Sequence, residues 1–335
     1  MFQRIVKIGA VFLLLTALLA GGLLVDLYRF EQRPCSTDAS PRVVVLESGQ
    51  SFEQVAARLH AAGLISSRIR FKALGRVRGS DKRIKAGEYR LASTMPAGRI
   101  LEILVSGDVS LHRLTIPEGF TLKQIAAKVE ESGFGPAEKF METVADRQLL
   151  ARLGIGPESL EGYLFPDTYF FPGGATPAAI ITAMTARFQT TYSHTLQERT
   201  RELGFTRHDI VTLASIIEKE TGTSHERPRI ASVFHNRLKR GMRLQSDPTV
   251  IYGIADYRGN ITRKHLRTPT PYNTYVIKGL PPGPIASPGL ASIEAALYPE
   301  ETPYLYFVSK KDGTHKFSTN FAAHNRAVRK YQLRK

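Results

Sequence analysis

The sequence predicts an α+β protein: an N-terminal transmembrane helix, then small α/β units, then a mixed α/β region that carries the chemistry. Three observations predict it. Ile8 to Val25 has no charge and is dominated by Val, Phe, Leu and Ala, just enough for a bilayer whose crossing takes about 20 apolar residues. VVVLESGQSFEQVAARLHAAGLIS, from Val43, is echoed by LTIPEGFTLKQIAAKVEESGFG, from Leu114, each with a β-rich run, a turn glycine, a Ser/Thr start and an amphipathic helix. In IVTLASIIEKETG, from Ile210, apolar residues at helical spacing lead into two carboxylates.

The apolar run is preceded by Arg4, Lys7 and the α-amine. The positive-inside rule puts that end in the cytoplasm and the remainder outside. A cleaved signal peptide is the alternative, but Leu18 at −3 from Ala20 is a poor small-residue site. Residues 1–28 are read as stub and anchor, and 29–42, with two prolines and small polar residues, as a linker. The lone cysteine, Cys35, falls there, so no internal disulfide forms.

Residues 43–108 form the first α/β unit and 109–195 the second. Gly49 aligns with Gly119, Val55, Ala56 and Leu59 with Ile125, Ala126 and Val129, and AGEYRL around Gly87 is echoed by EGYLFPDTYFF around Gly162. Coincidence between two ordinary strand–helix units is the alternative. The entry VVVLESGQSFEQVAARL resembles a LysM-like domain, which implies glycan binding, or else a structural docking role.

Residues 196–335 follow as the core of a larger region, 109–335. Ser224 caps a helix over 226–239 that Gly241 ends, with Ile230, Val233, Phe234 and Leu238 buried and Asn236 and Arg237 beside them. Asp247-Pro248 and Ser287-Pro288 both read as N-cap then proline. Tyr304 to Val308 reads as a strand, Lys311-Asp312-Gly313 as a hairpin turn, and Asn320 as the cap of a last helix.

A hydrophobic share of 42% and a charged share of 23% are ordinary for a globular chain; a formal charge of +16 is not. It implies an anionic partner: nucleic acid, acidic headgroups or an acidic polymer. A body outside the cytoplasm, without nucleic-acid-binding signatures, argues against nucleic acid. Membrane surface or a wall polymer fits better.

Glu218 is the candidate acid. Thr206 and Asp209 have capping-box spacing. Glu218 follows Ala214 by four and Val211 by seven, which sets it on the rim of the apolar stripe, and it lies in the last turn. Partial burial and the helix dipole both raise a carboxyl pKa, as a general acid requires. The alternative is a surface Glu whose stem covers apolar area. Glu220 points to a different face, for a salt bridge or for catalysis.

Between Gln245 and Gly289 the segments QSDPTVIYG, TPYNTY and GLPPGPIASPG are dense in polar and aromatic groups. Without Trp, Tyr252, Tyr272 and Tyr275 are the rings available to stack on sugars, and Gln245 and Asn273 the amides to bond them. The candidate substrate-binding set is Glu220, Asn236, Gln245, Tyr252, Tyr272, Asn273 and Thr274. HExxH is absent, His225, His235 and His265 lack zinc spacing, and no cofactor is expected. Ser215 and Lys219 lack S-x-x-K or G-x-S-x-G. Ser215 reads instead as a packing residue bonded back to the Val211 carbonyl.

ASIIEKETG, ASVFHNRLKRGMRLQSDPTVIYG, TPYNTY, GLPPGPIASPG and TPYLYFVSKKDGTHKFSTN together resemble the MltG (YceG-like) family of endolytic murein transglycosylases. The resemblance runs from the anchor to the C-terminus. It implies an inner-membrane anchor, a periplasmic LysM-like subdomain, and a catalytic domain that cuts nascent peptidoglycan internally. It carries the catalytic role onto Glu218, the first acid of EKE. Such an acid protonates the oxygen between N-acetylmuramic acid (MurNAc) and N-acetylglucosamine (GlcNAc). As carboxylate, it then deprotonates the C6 hydroxyl, giving a 1,6-anhydro end without water. One carboxylate then suffices where hydrolases use a pair. Peptidoglycan synthases are implied neighbours. A water-using muramidase and a non-catalytic wall-binding scaffold are the rival readings.

Overall fold

The chain begins with α1 (Phe2–Gln32), in the computed structural model that describes residues 2–47, 49–155, 159–255, 257 and 259–333, with side chains from residue 13 onward. The basic flank Arg4 and Lys7 and the first apolar residues lie outside the described side chains. Leu13–Gln32 is long and apolar enough to cross a membrane, with a mean hydropathy of 1.7, and only 6% of it is buried. A core helix would be mostly covered.

Two compact units follow from the chain's contacts: Met1–His112 with Phe170–Gly174, and Arg113–Tyr169 with Ala175–Lys335. The division falls within two strands, after His112 and after Tyr169. The first unit contains β1 (Pro41–Leu46), α2 (Phe52–Ala61), α3 (Arg68–Val77), β2 (Gly87–Ala92) and α4 (Ala97–Ser106). β1 and β2 are antiparallel, from Pro41 opposite Ala92 to Leu46 opposite Gly87. Alternation decides the faces: Val44 and Leu46 are buried, Val43 and Val45 exposed. The segment read as a linker is part of this unit. α1 runs on to Gln32, Phe30 joins the core with Leu59, Phe71 and Tyr89, and the Cys35 amide donates to Ser93 O at 3.0 Å.

β3 (Leu111–Thr115), α5 (Leu122–Glu131), α6 (Ala137–Val144), α7 (Arg147–Leu153), β4 (Thr168–Pro172) and α8 (Pro177–Thr191) come next. β3 pairs with β4. Capping boxes Ser51/Gln54 and Thr121/Gln124 open α2 and α5. The glycines before them both have positive φ, +86° at Gly49 and +75° at Gly119, which suits a residue without Cβ. The Gly119 amide donates to Ser287 O at 2.8 Å, and its carbonyl accepts Lys219 Nζ at 3.2 Å. A Cβ added at Gly49 meets nothing.

α9 (His194–Glu202), α10 (Arg207–Glu220), α11 (Arg227–Lys239), α12 (Asp247–Tyr252), α13 (Arg263–Arg267) and α14 (Leu290–Leu297) complete the helices before the hairpin of β5 (Tyr306–Ser309) and β6 (His315–Ser318). α15 (Phe321–Val328), capped by Asn320, continues as a π-helical turn, Arg329–Leu333. α10 opens on the Thr206/Asp209 capping box, and every residue from Ile210 to Ile217 is buried. A helix apolar all round belongs in a core; α10 packs against α14 and α11.

Some local expectations shift. Ser246, not Asp247, precedes α12 as its N-cap, and Gly289, not Ser287, precedes α14. Ser287 instead bonds backbone to backbone with Phe120 and Gly119. Ser224 opens a 3-10 turn before α11. Ser215 Oγ donates to Thr212 O, not Val211 O, at 2.7 Å, and accepts the Ile285 amide at 3.0 Å. Gly222 is needed for close approach: a Cβ there would sit 2.7 Å from Gly313 O.

Candidate active site

The last turn of α10 presents its two carboxylates to opposite environments, because residues two apart differ by about 200° around a helix. Glu218 faces inward to a polar cluster, with its side chain 8% exposed. Its Oε1 accepts Arg227 Nη2 at 3.2 Å and its Oε2 accepts the Gly289 amide at 3.1 Å. Arg227 also reaches Glu118 Oε2 at 3.5 Å. Burial, and then the charge of Glu218, raise the Glu118 carboxyl above its ordinary value, against the pull of Arg227. Lys219 is spent on Gly119 O, so no Ser215–Lys219 dyad exists.

Glu220 lines a cavity of about 270 Å³ with Arg237, Gln245, Asp247, Tyr275 and His324. Desolvation pushes its carboxyl up to about 7; the negative charge of Asp247 adds to this, while a bond from Ser246 and the charge of Arg237 oppose it. Ser246 Oγ donates to Glu220 Oε1 at 2.6 Å. Tyr275 Oη donates to Asp247 Oδ1 at 2.7 Å. Arg237 is held rigidly by the Leu305 carbonyl at 2.7 Å and the Leu244 carbonyl at 2.6 Å. Gln245 has a positive φ of 50°, a strained conformation that a non-glycine residue adopts where surrounding structure enforces it. His324 stacks on Tyr306 with ring centroids 5.1 Å apart. Burial, then Arg237, lower its pKa below the ordinary histidine value, and its Nδ1 is buried without a partner. The wall thus offers two carboxyl groups, one of them raised to about 7, an imidazole and aromatic faces.

Of the seven residues proposed from sequence for substrate, Glu220 and Gln245 line this cavity. The other five do not line it, and Asn236 lines a separate cavity of about 600 Å³. Asn236 Nδ2 donates to Thr302 O at 2.7 Å and Tyr304 O at 2.9 Å. Tyr252 donates to Glu161 at 3.0 Å and lies against Tyr272. Asn273 and Thr274 are wholly buried. Asn273 gathers the His265, Leu266 and Thr268 carbonyls, and Thr274 Oγ1 accepts the Ser246 amide at 2.9 Å. These contacts set the loop that aims Ser246 and Tyr275. Sequence reading missed Asp247, Arg237 and His324 as cavity residues, and Ser246 as the partner of Glu220. The signal for His324 was its position one helical turn past the Asn320 cap.

Glu161 is a second protonatable group, 5% exposed; desolvation raises it to about 7 against bonds from the Leu122 amide and Tyr252. Among the described residues no three of His, Cys, Asp and Glu converge as metal ligands would.

The sequence profile of the YceG-like family matches residues 44–330. A protein of Bacillus subtilis (strain 168) named endolytic murein transglycosylase is 33% identical over 314 residues, 89% of this chain and 87% of that one. One of the same name from Streptococcus pneumoniae (strain D39) is 31% identical over 95% of this chain and 64% of its own length. A crystal structure of a yceG-like protein from Listeria monocytogenes superposes with a TM-score of 0.60 at 33% identity, over 86% of this chain and 99% of that one.

Proposed function

The chain belongs to the YceG-like family, and from that premise we propose that it is an endolytic lytic murein transglycosylase in which Glu220 is the acid and then the base. It cuts the MurNAc-β-1,4-GlcNAc bond within nascent strands and leaves 1,6-anhydroMurNAc ends. The relatives' names support the murein transglycosylase role. One observation carries the choice of acid: Glu220 opens on a cavity with its carboxyl raised to about 7, whereas both oxygens of Glu218, the acid expected from sequence, are taken by Arg227 and the Gly289 amide.

Ser246 holds Oε1 of Glu220, which leaves Oε2 to deliver the proton to the glycosidic oxygen. The C1–O bond breaks and positive charge develops at C1 and the ring oxygen. Asp247, fixed by Tyr275, is the negative charge nearby and favours that state in a partly dry cavity. The Glu220 carboxylate then takes the proton of the C6 hydroxyl as its oxygen closes on C1. The proton lost in the first half returns in the second, and no water is consumed. Ring closure within one sugar gains from enforced proximity.

Further proposals complete the reading. Residues 1–28 anchor the chain once in the inner membrane with the N-terminus cytoplasmic, 43–108 form the LysM-like subdomain, and 109–335 form the periplasmic catalytic region. Digestion of nascent glycan by wild type, Glu220→Gln and Glu218→Gln, with products weighed by mass spectrometry, tests the assignment. Anhydro ends from wild type and Glu218→Gln, and none from Glu220→Gln, are expected. Hydrated ends would make it a muramidase, and binding without cleavage a scaffold.

A further inference from the structure

A second cavity, of about 500 Å³, lies along α15 and β6 and takes Tyr304, Lys316, Ser318, Arg326, Lys330 and Tyr331 into its walls. We propose that it binds the carboxylates of a murein stem peptide, so that the enzyme reads the peptide branch as well as the glycan. The proposal rests on the murein-cleaving reading above and extends it.

Three features of the cavity point to an acidic, extended, partly aliphatic ligand. Lys316, Arg326 and Lys330 are exposed cations, and none of them has an ion pair among the described residues. Ser318 is 5% exposed, yet its Oγ has no hydrogen-bond partner. A buried hydroxyl left unpaired is costly, and a peptide carbonyl or amide in the cavity would satisfy it. Tyr304 and Tyr331 add aromatic faces to the same wall, with Lys330 Nζ 5.1 Å from the Tyr331 ring centroid.

α15 stands between the two cavities. His324 lines the one that holds Glu220, while Ala323, Arg326 and Ala327 line the other. Tyr306 and Tyr304, two apart in sequence, divide in the same way. A muramic ring at Glu220 carries its peptide on the lactyl oxygen, and this neighbour is positioned to receive it. Stem peptides offer several carboxylates along a short chain, and three separated cations match that better than one compact anion.

The test uses the full chain in detergent micelles and a free stem pentapeptide, which has no glycosidic bond to cut. Calorimetry should show binding to wild type. The Lys316→Ala/Arg326→Ala double variant should weaken it about tenfold, and amidating the peptide carboxylates should weaken it equally. Lys316→Arg with Arg326→Lys should restore it. All these positions are exposed, so folding is not at risk. No binding, binding indifferent to both changes, or equal competition by inorganic phosphate would each overturn the proposal. Glycan stripped of its stems separates the two readings. Peptide binding without cleavage of any strand removes the activity and keeps this site; cleavage without peptide binding removes this site alone.

Discussion

Two flanks of one helical turn hold the same chemical group in unlike surroundings. On one flank Glu218 meets a guanidinium and a backbone amide, in a cluster that ties α10 to α11 and to the loop before α14. On the other, Glu220 meets a serine hydroxyl, a second carboxylate and an open cavity. The first environment has a donor for each oxygen; the second raises the cost of charge. Two carboxyls two residues apart on one helix end thus meet surroundings that neighbouring elements set.

The strongest way to break this contrast is to exchange the roles. Glu220→Gln should lower cleavage by about 100-fold or more, the range for losing a general acid. If Glu218→Gln silences the enzyme while Glu220→Gln spares it, the two flanks have been read the wrong way round.

Glu218→Gln should act on stability. It leaves Arg227, whose side chain is 15% exposed, without its best-buried carboxylate, at a cost of about 2 kcal/mol. Denaturant midpoints measure this, and cleavage per folded molecule should stay within a few-fold of wild type. Gly222→Ala should also destabilise, by about 1–3 kcal/mol, because its new methyl would press on the Gly313 carbonyl.

A subtler change sharpens the Glu220 flank. The Ser246 hydroxyl opposes the rise of the Glu220 pKa, so Ser246→Ala should raise it further. Wild-type activity should fall as the pH rises through about 7, where the acid loses its proton. In Ser246→Ala the fall should move to higher pH, by a few-fold in rate at fixed pH above neutrality. A shift to lower pH would contradict the bond's role.

Stability should also depend on pH. Folded Glu161 and Glu220 both have pKa values raised to about 7 from 4.5, so the folded chain holds protons that the unfolded chain releases. That contribution is complete below about pH 4.5 and is lost as pH rises through about 7. Thermal midpoints taken between pH 5 and 8 should fall, and Glu161→Gln should flatten part of the slope.

Much of the architecture was legible because it depends on neighbours in sequence. The capping boxes at Ser51, Thr121 and Thr206 form as their spacing requires, and Lys311-Asp312-Gly313 does turn between β5 and β6. The site was only half legible. Asn273 carries an amide that suits sugars, yet it is wholly buried and three backbone carbonyls take its donor group. A polar side chain in sequence does not announce whether its partner will be backbone or ligand.

By itself the sequence determined the apolar first helix, the α+β class, the buried stripe of α10 and the family, because those rest on local spacing and on motif order. Only the tertiary structure decided that Glu218 is locked between Arg227 and Gly289, and that Ser246, Asp247 and His324 gather around Glu220. These residues are far apart along the chain. The electrostatics of a carboxyl depend on distances through space, which a helical periodicity cannot contain.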